Sequence, residues 1–425
     1  MCSWAPVDSQ KQTNVLLVAD PQLIDNHTYP GRNELLLQLS KHTVDVYIKQ
    51  NYKALVTQLQ PDYIIFLGDY LDNGRSSSDK YYAKEFRRFE RIFNRWPRYK
   101  RGERWLTNVA GNHDIGFGDG VKLPSRERFI ASFGMPNEKH IIDGVEFLSV
   151  DTISYSAASE QINDDSRQFV KQLSSEKSPR VLLSHVPFFR DTEKLTCGPL
   201  REHANFLQVS GYQYQSALTP AVSTELLDMI QPDLIFSGDD HDYCDVQHPN
   251  SAREITVKSI SMAMGVSRPA VQLLSFSAQD ETLNYNTEIC YLPRPYINVL
   301  VYVVLAVFSG LFLLFYSVKS RRYVYTVLPS EHVTAVLLES GQAPMSKRMS
   351  KFLEEDDSSP ASLAPLSNYT KTSTTFFERF QKRFRLLKAE VFLILKRWNL
   401  ITFFRSCSIL GSVTIALYVI TISFI

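Results

Sequence analysis

The chain has 425 residues, 44% of them hydrophobic, with 46 Lys+Arg against 45 Asp+Glu, enough for one large domain and something more. The near-neutral sum conceals a split: residues 1–318 carry 31 basic against 37 acidic residues, and 319–399 carry 14 against 8. A mildly acidic main domain gives no reason to expect nucleic acid as a partner, because such binders present a basic face.

Residues 1–14 are polar and lack the charged start and apolar core of a signal peptide. Asn14–Ala19 is predicted as a buried strand that ends in Asp20 and Gln22. Asn26-His27-Thr28 is a glycosylation acceptor triplet. Apolar residues then recur at 44, 48, 52, 55 and 59, the period of an amphipathic helix over 35–59, with His42 on its surface. The run YIIFLGDYLDN is a second strand; it breaks at Gly68 and delivers Asp69, with Asp72 close behind. Lys80–Arg95 is a helix in which Phe86, Phe89 and Phe93 form a core stripe and the arginines between them a solvated face. LTNVAGNHD is a third strand, ending in Asn112, His113 and Asp114. Ser125–Phe133 reads as a short helix and Val145–Val150 as a strand ending in Asp151. Arg180–Ser184 delivers His185, and Pro187 stops it. Residues 188–219 show no core periodicity, and a loop of that length is usually functional. Leu234–Ser237 ends in Asp239 and His241. EITVKS and AVQLLSFS read as strands closing a second sheet.

Tyr296–Val318 and Ser406–Ile425, 23 and 20 residues without a charge, are long enough to span a bilayer. Lys319, Arg321 and Arg322 follow the first span, whereas Arg294 alone precedes it. By the positive-inside rule 319–405 face the cytoplasm, and the large domain and the C-terminus face the other side. A domain ahead of its first span then leads us to expect a further membrane helix upstream of residue 1. Cys2, Cys197, Cys244 and Cys290 lie on the non-cytoplasmic side, where disulfides persist, and Cys407 lies in the second span. Of three possible pairings, the membrane-proximal positions of Cys2 and Cys290 favour Cys2–Cys290 with Cys197–Cys244. The Ser/Pro-rich middle of 319–405 reads as disordered. Phe377, Phe380, Phe384, Leu387, Val391 and Ile394 form an apolar stripe among Lys and Arg, so 376–398 is expected on the cytoplasmic leaflet.

One strand ending in Gly-Asp or Asn-His-Asp would mean little, since these residues suit turns. Five apolar strands each ending in ligand-type residues place carboxylates, an Asn carbonyl and histidines along one sheet edge, where α/β sites form. Those are the donors that hard divalent cations and proton transfer need. The pattern resembles the calcineurin-like metallophosphoesterases, with their D-x-H, GD-x-x-D, GNH-[DE], lone His and GH-x-H, and the resemblance covers the chain to about residue 280. It implies an αββα sandwich over residues 15–290 and two divalent cations. One would be held by Asp20, Gln22, Asp69 and His241, the other by Asp69, Asn112, His185 and Asp239, with Asp69 bridging and a shared water activated to attack phosphorus. It further implies His113 as general acid, Asp114 as its orienter and Asp72 as support for the loop after Asp69.

Gln22 stands for the usual His, and Asp239 for the first His of GH-x-H. Both changes trade nitrogen for oxygen donors and favour Mn²⁺ or Mg²⁺, with Mn²⁺ expected; whether Gln22 ligates stays open. DPQ, GDDHDYC, EITVKS, CYLP and the flanking membrane helices resemble the fungal branch of endoplasmic-reticulum phosphoesterases that remodel GPI anchors. That branch implies removal of an ethanolamine-phosphate side branch from a mannose of the GPI glycan, which promotes export of GPI-anchored proteins. It also implies a lumenal catalytic domain on the endoplasmic-reticulum membrane or the exit sites and early Golgi beyond it, with GPI-anchored proteins as substrate and cargo-export receptors as further partners. The tyrosines and Arg201 of 188–219 are then expected to form a glycan-facing wall. A nucleotide or phospholipid phosphodiesterase of the same compartment, and a catalytically weak export adaptor, stay open as alternatives.

Overall fold

The computed structural model describes residues 2–8, 11–173, 178–211, 213–279, 282–326 and 400–423, in two units divided after Ile297. In the first unit β1 (Thr13–Val18), β2 (Tyr63–Phe66) and β3 (Trp105–Leu106) run parallel. On the other side of β1 lies β12 (Ala270–Gln279), antiparallel, followed by β13 (Thr282–Tyr291), giving the order β13-β12-β1-β2-β3. The second sheet has the order β10-β11-β9-β6-β5-β4. It comprises β4 (Glu138–Ile142), β5 (Val145–Ser149), β6 (Arg180–Leu183), β9 (Leu234–Ser237), β10 (Cys244–Gln247) and β11 (Arg253–Thr256). A small hairpin, β7 (Ser210–Gly211) with β8 (Tyr214–Gln215), stands apart.

Alternation along the strands builds the layers. Val15 and Leu17 of β1 join Ile65, Phe147, Val181, Phe236 and Leu274 between the two sheets, while Leu16 and Val18 turn to the helical side. Successive side chains on a strand point to opposite faces, so runs apolar on both faces make sheets covered on both sides. Helix α1 (Glu34–Leu59) is capped by the Asn33 side chain, which accepts from the backbone of Leu35 and Leu36. It lays Val44, Ile48, Tyr52 and Leu55 on the first sheet. Helix α2 (Asp79–Phe93) contributes Phe89 and Phe93, both buried against Phe66, and Phe89 meets Trp105 and Phe133 as well. The short α3 (Asn112–Ile115) and α4 (Leu123–Phe133) follow, then α5 (Thr152–Tyr155), α6 (Glu160–Gln172) and α7 (Pro220–Ile230). The result is the αββα sandwich.

Three expectations change. AVQLLSFS does not close the second sheet: β12 pairs with β1 in the first, Leu17 opposite Gln272, because Ser259 bridges to Ala19 and turns the chain across. Residues 282–291 form an unforeseen strand whose side chains are largely exposed or half-buried; its ladder partner β12 supplies what its own hydrophobicity does not. Arg88, expected on a solvated face, is buried between Asp45 and Glu85.

Disulfides join Cys2 to Cys290 and Cys197 to Cys244. Helix α8 (Pro295–Thr326), which begins at the end of the first unit, and α9 (Leu400–Ser423), in the second, are long and apolar enough over Pro295–Ser317 and Leu400–Tyr418 to cross a membrane. The second apolar stretch starts ahead of the expected Ser406, since one arginine, Arg405, does not end an apolar helix. Residues 327–399, with the stripe expected over 376–398, lie outside the described residues.

Candidate metal centre

Five of the seven ligand-type residues leave their strands through left-handed backbone. Asp20, Gln22, Asp69, Asp239 and His241 all have positive φ, from 32° at Gln22 to 64° at His241. Residues without Gly's freedom hold such angles only where surrounding structure imposes them, and such positions cluster at functional sites. Two glycines make the close approach possible. A Cβ at Gly111 would run into the Asp69 carboxylate, and one at Gly68 into the His185 ring.

The five strand ends converge. Asp20, Asp69 and His241 bring ligand atoms within 4.8 Å of one another, as do Asp69, His185 and Asp239, and Asp69 belongs to both groups. His185 Nδ1 lies 2.7 Å from the carbonyl of Leu67. A carbonyl only accepts, so Nδ1 carries the proton and the Nε2 lone pair faces the cluster. That Nε2 is 3.4 Å from Asn112 Oδ1, Asp69 Oδ1 and Asp239 Oδ1. Asn112 turns its amide nitrogen away, to the backbone carbonyl of Gln213 at 3.4 Å, so its oxygen is the atom offered to the site. The Asp239 backbone N–H donates to Asp20 Oδ1 at 3.1 Å and locks the last motif onto the first.

His113 is held differently from expectation. Asp114 does not orient it: its carboxylate accepts from the backbone N–H groups of Gly111, Tyr70 and Leu71 at 3.0, 3.2 and 3.4 Å. The His113 ring rests on Asp72, with Nδ1 2.5 Å from the Asp72 carbonyl and 3.5 Å from its carboxylate. By the same donor argument Nδ1 carries a proton and Nε2 is left for chemistry. Gln22 Nε2 donates to Asp72 Oδ1 at 2.8 Å and sits 3.2 Å from His113 Nε2, whereas Gln22 Oε1 is buried without a partner. Thr28 donates to the other Asp72 oxygen at 2.6 Å. The glycosylation triplet is thereby wired into the site loop. Asn26 is exposed, and its side-chain oxygen accepts from Lys41 at 3.0 Å.

Burial drives the electrostatics. It pushes Asp20 well above the carboxylate range, with the charges of Asp69 and Asp239 adding to the effect, and it pushes Asp114 up to about 8, with Asp69 adding. Asp69 goes the other way, because His185 and His113 outweigh its own desolvation. Burial would lower His185, yet the facing Asp69 and Asp239 raise it well above its ordinary value. His241, by contrast, is lowered by burial. Three buried carboxylates share the one facing imidazole of His185, and Asp20 Oδ2, Asp239 Oδ2 and Gln22 Oε1 have no hydrogen-bond partner among the described residues. That donor set of carboxylate, amide oxygen and imidazole fits divalent cations.

Sequence reasoning missed the outer supports. Asp239 and His241 face the cluster, while their neighbours are tied outward: Asp240 to Arg201, and Asp242 to Lys258 and the backbone of Glu202 and His203. Arg201, expected on a glycan-facing wall, is therefore a buried anchor. The alternation in DDHD was the available signal, since acids at both even positions had no role in the ligand pattern.

A sheet-edge cluster of shared carboxylate, imidazole and amide donors, with a proton-bearing His beside it, defines a metal-dependent phosphoester hydrolase. Residues 13–243 match the family Calcineurin-like phosphoesterase, and the chain belongs to that family. It is similar to Cell division control protein 1 of Saccharomyces cerevisiae, 38% identical over 73% of this chain and 68% of that protein. It is similar also to Metallophosphoesterase 1 of Mus musculus, 28% identical over 58% of this chain and 65% of that protein. Among solved structures, a dimetal phosphatase from Danio rerio matches with a TM-score of 0.34 and 12% identity, over 66% of this chain and 99% of that one.

Proposed function

We propose that this chain is a phosphodiesterase that removes an ethanolamine-phosphate side branch from a mannose of the GPI glycan, with its catalytic domain in the lumen of the endoplasmic reticulum. The observation that carries the reading is the Asp69-shared pair of ligand groups, on a domain whose chain runs directly into a helix long enough to cross a bilayer. A membrane-tethered site meets phosphodiesters on lipid-anchored glycans. The first-motif DPQ, the GDDHDYC motif and the CYLP segment support the GPI assignment, and Lys319, Arg321 and Arg322 support the lumenal orientation.

Asp20, Gln22, Asp69 and His241 would hold one cation, and Asp69, Asn112, His185 and Asp239 the other. When bound, the two cations supply charge neutralisation at phosphorus and a lowered pKa for the attacking water. The protein's own work is positional. Leu67 fixes the His185 tautomer, Gln213 turns the Asn112 oxygen inward, and the Asp72 carbonyl holds the His113 ring through Nδ1–H, so that the imidazolium, protonated at Nε2 as well, can give that second proton to the departing sugar oxygen. Because Gln22 and Asp239 are oxygen donors, we propose Mn²⁺ as the metal; Mn²⁺ should restore activity after chelation better than Zn²⁺, and equal recovery with Zn²⁺ would count against it. The full-length protein, loaded with Mn²⁺ and offered GPI glycan, a nucleotide diester and a phospholipid, should release ethanolamine phosphate from the first. Comparable kcat/KM on either of the others would overturn the substrate.

A further inference from the structure

The first turns of α1 bury Leu37 but leave Leu35, Leu36 and Leu39 77%, 55% and 58% exposed. Beside them the exposed Arg32 stacks over the Tyr29 ring at 3.9 Å. Leucines flanked by an aromatic ring and an arginine have the make-up of an interfacial anchor. The fold also fixes where this patch lies. Leu36 and Tyr47 are separated by just over three turns, so they share one side of α1 about 16 Å apart. The Tyr47 hydroxyl donates to the Pro293 carbonyl at 2.7 Å, and the apolar stretch begins at Pro295. Register puts the catalytic edge there as well. Leu17 lies opposite Gln272 and Ala270 opposite Tyr291, so β13 leaves its sheet at the same edge where β1 delivers Asp20. Arg268 and Arg294, both exposed, flank that exit, and Arg268 lies 4.4 Å over the Tyr291 ring. Cations there suit lipid phosphates.

We propose that Leu35, Leu36 and Leu39 dip into the headgroup–acyl boundary of the bilayer that α8 is built to cross, and so hold the catalytic edge against the membrane surface. The occupant is the bilayer because the chain itself, through Pro293, keeps this patch close to its own entry into the apolar phase. The proposal rests on membrane crossing by α8; the GPI reading adds only that a lipid-anchored substrate would be met there.

Its test uses the full chain in nanodiscs with Cys407→Ser and a single labelling site at Leu36→Cys, Leu39→Cys or, as control, Glu103→Cys, which is exposed and sits just before β3 at the opposite sheet edge. An environment-sensitive fluorophore should shift to the blue and be quenched by spin-labelled lipid at 36 and 39, and not at 103. Absence of quenching at 36 and 39, or crosslinking of those positions between two copies, overturns the proposal. The reading needs no turnover, so it stands or falls apart from the substrate assignment. A second variant, with all three leucines changed to Ser, should raise KM several-fold for a phosphodiester anchored in vesicles and leave kcat and KM on a soluble aryl phosphodiester unchanged. Equal changes on both substrates would overturn it.

Discussion

The two flanks of the metal centre are held by different chemistry. On the last-motif side Asp239 and His241 are fixed from behind: Arg201 grips Asp240, Lys258 and Glu202 grip each other and Asp242, and Cys197–Cys244 closes the strap. On the first-motif side Gln22, Thr28 and Asp72 are joined by hydrogen bonds, and the loop runs out to exposed leucines. Removing one half of a buried ion pair costs about 3–5 kcal/mol, whereas a hydrogen bond nets about 0.5–1.5 kcal/mol. The last-motif flank is thus stiff, and the first-motif flank, which carries the proton donor beside Asp20 and Gln22, is soft.

Both flanks meet at one carboxylate, Asp69, which belongs to both ligand groups. Asp69→Asn takes charge from both ligand groups together and should abolish metal loading and turnover alike, checked by elemental analysis and activity on the same preparation. Full metal content in an inactive protein would break the bridging assignment. His113→Ala touches only the soft flank. It should keep both metals and slow cleavage of a sugar-leaving substrate by roughly 10²–10⁴-fold, with much less loss on an activated aryl phosphodiester. Equal slowing of both would make His113 structural.

Arg201→Ala attacks the stiff flank and leaves Asp240 buried without its partner. Unfolding in denaturant should lose about 3–5 kcal/mol, and Arg201→Lys should recover part of it, since one ammonium replaces a fork. Acid sharpens the same point. Burial would raise the Asp242 carboxyl, but the His203 N–H and Lys258 hold it down to about 2 against an ordinary 3.8. A depressed folded value means this contribution is complete above pH 3.8 and fades as pH falls toward about 2. Stability should therefore drop between those values, and Asp242→Asn should flatten that slope. The smallest effect belongs to Thr28→Val, which removes the hydrogen bond Thr28 donates to Asp72 and the one it accepts from the Asp25 N–H. We expect a loss of about 1–3 kcal/mol, two bonds at the usual net value each, and a modest fall in kcat without loss of metal; a loss as large as that of Arg201→Ala would erase the contrast between flanks.

Much of the site was legible because its signals are local. A run such as VLLVAD or LIFSGDDHD declares both a buried strand and the residue type at its end, and a strand's end is where a sheet presents side chains. The long apolar helices and the amphipathic ones were legible for the same reason, since length and the 3.6-residue period belong to the segment alone. The neighbour of β12 was not, because AVQLLSFS is apolar enough to suit either sheet and only the bridge from Ala19 to Ser259 selects one.

The sequence by itself determined which residues could hold metal and which chemistry they favour, because donor type is a property of the side chain. Only the tertiary structure decided which acid serves which base. Asp114 is adjacent to His113 in the chain, yet it turns to backbone N–H groups of two loops, while Asp72, 41 residues earlier, holds the ring. Arg88 and Arg201 likewise look like surface charges until their acids, 43 and 39 residues away, close over them. A buried charge takes whichever partner the packing brings within reach, and that choice is made between strands, not along them.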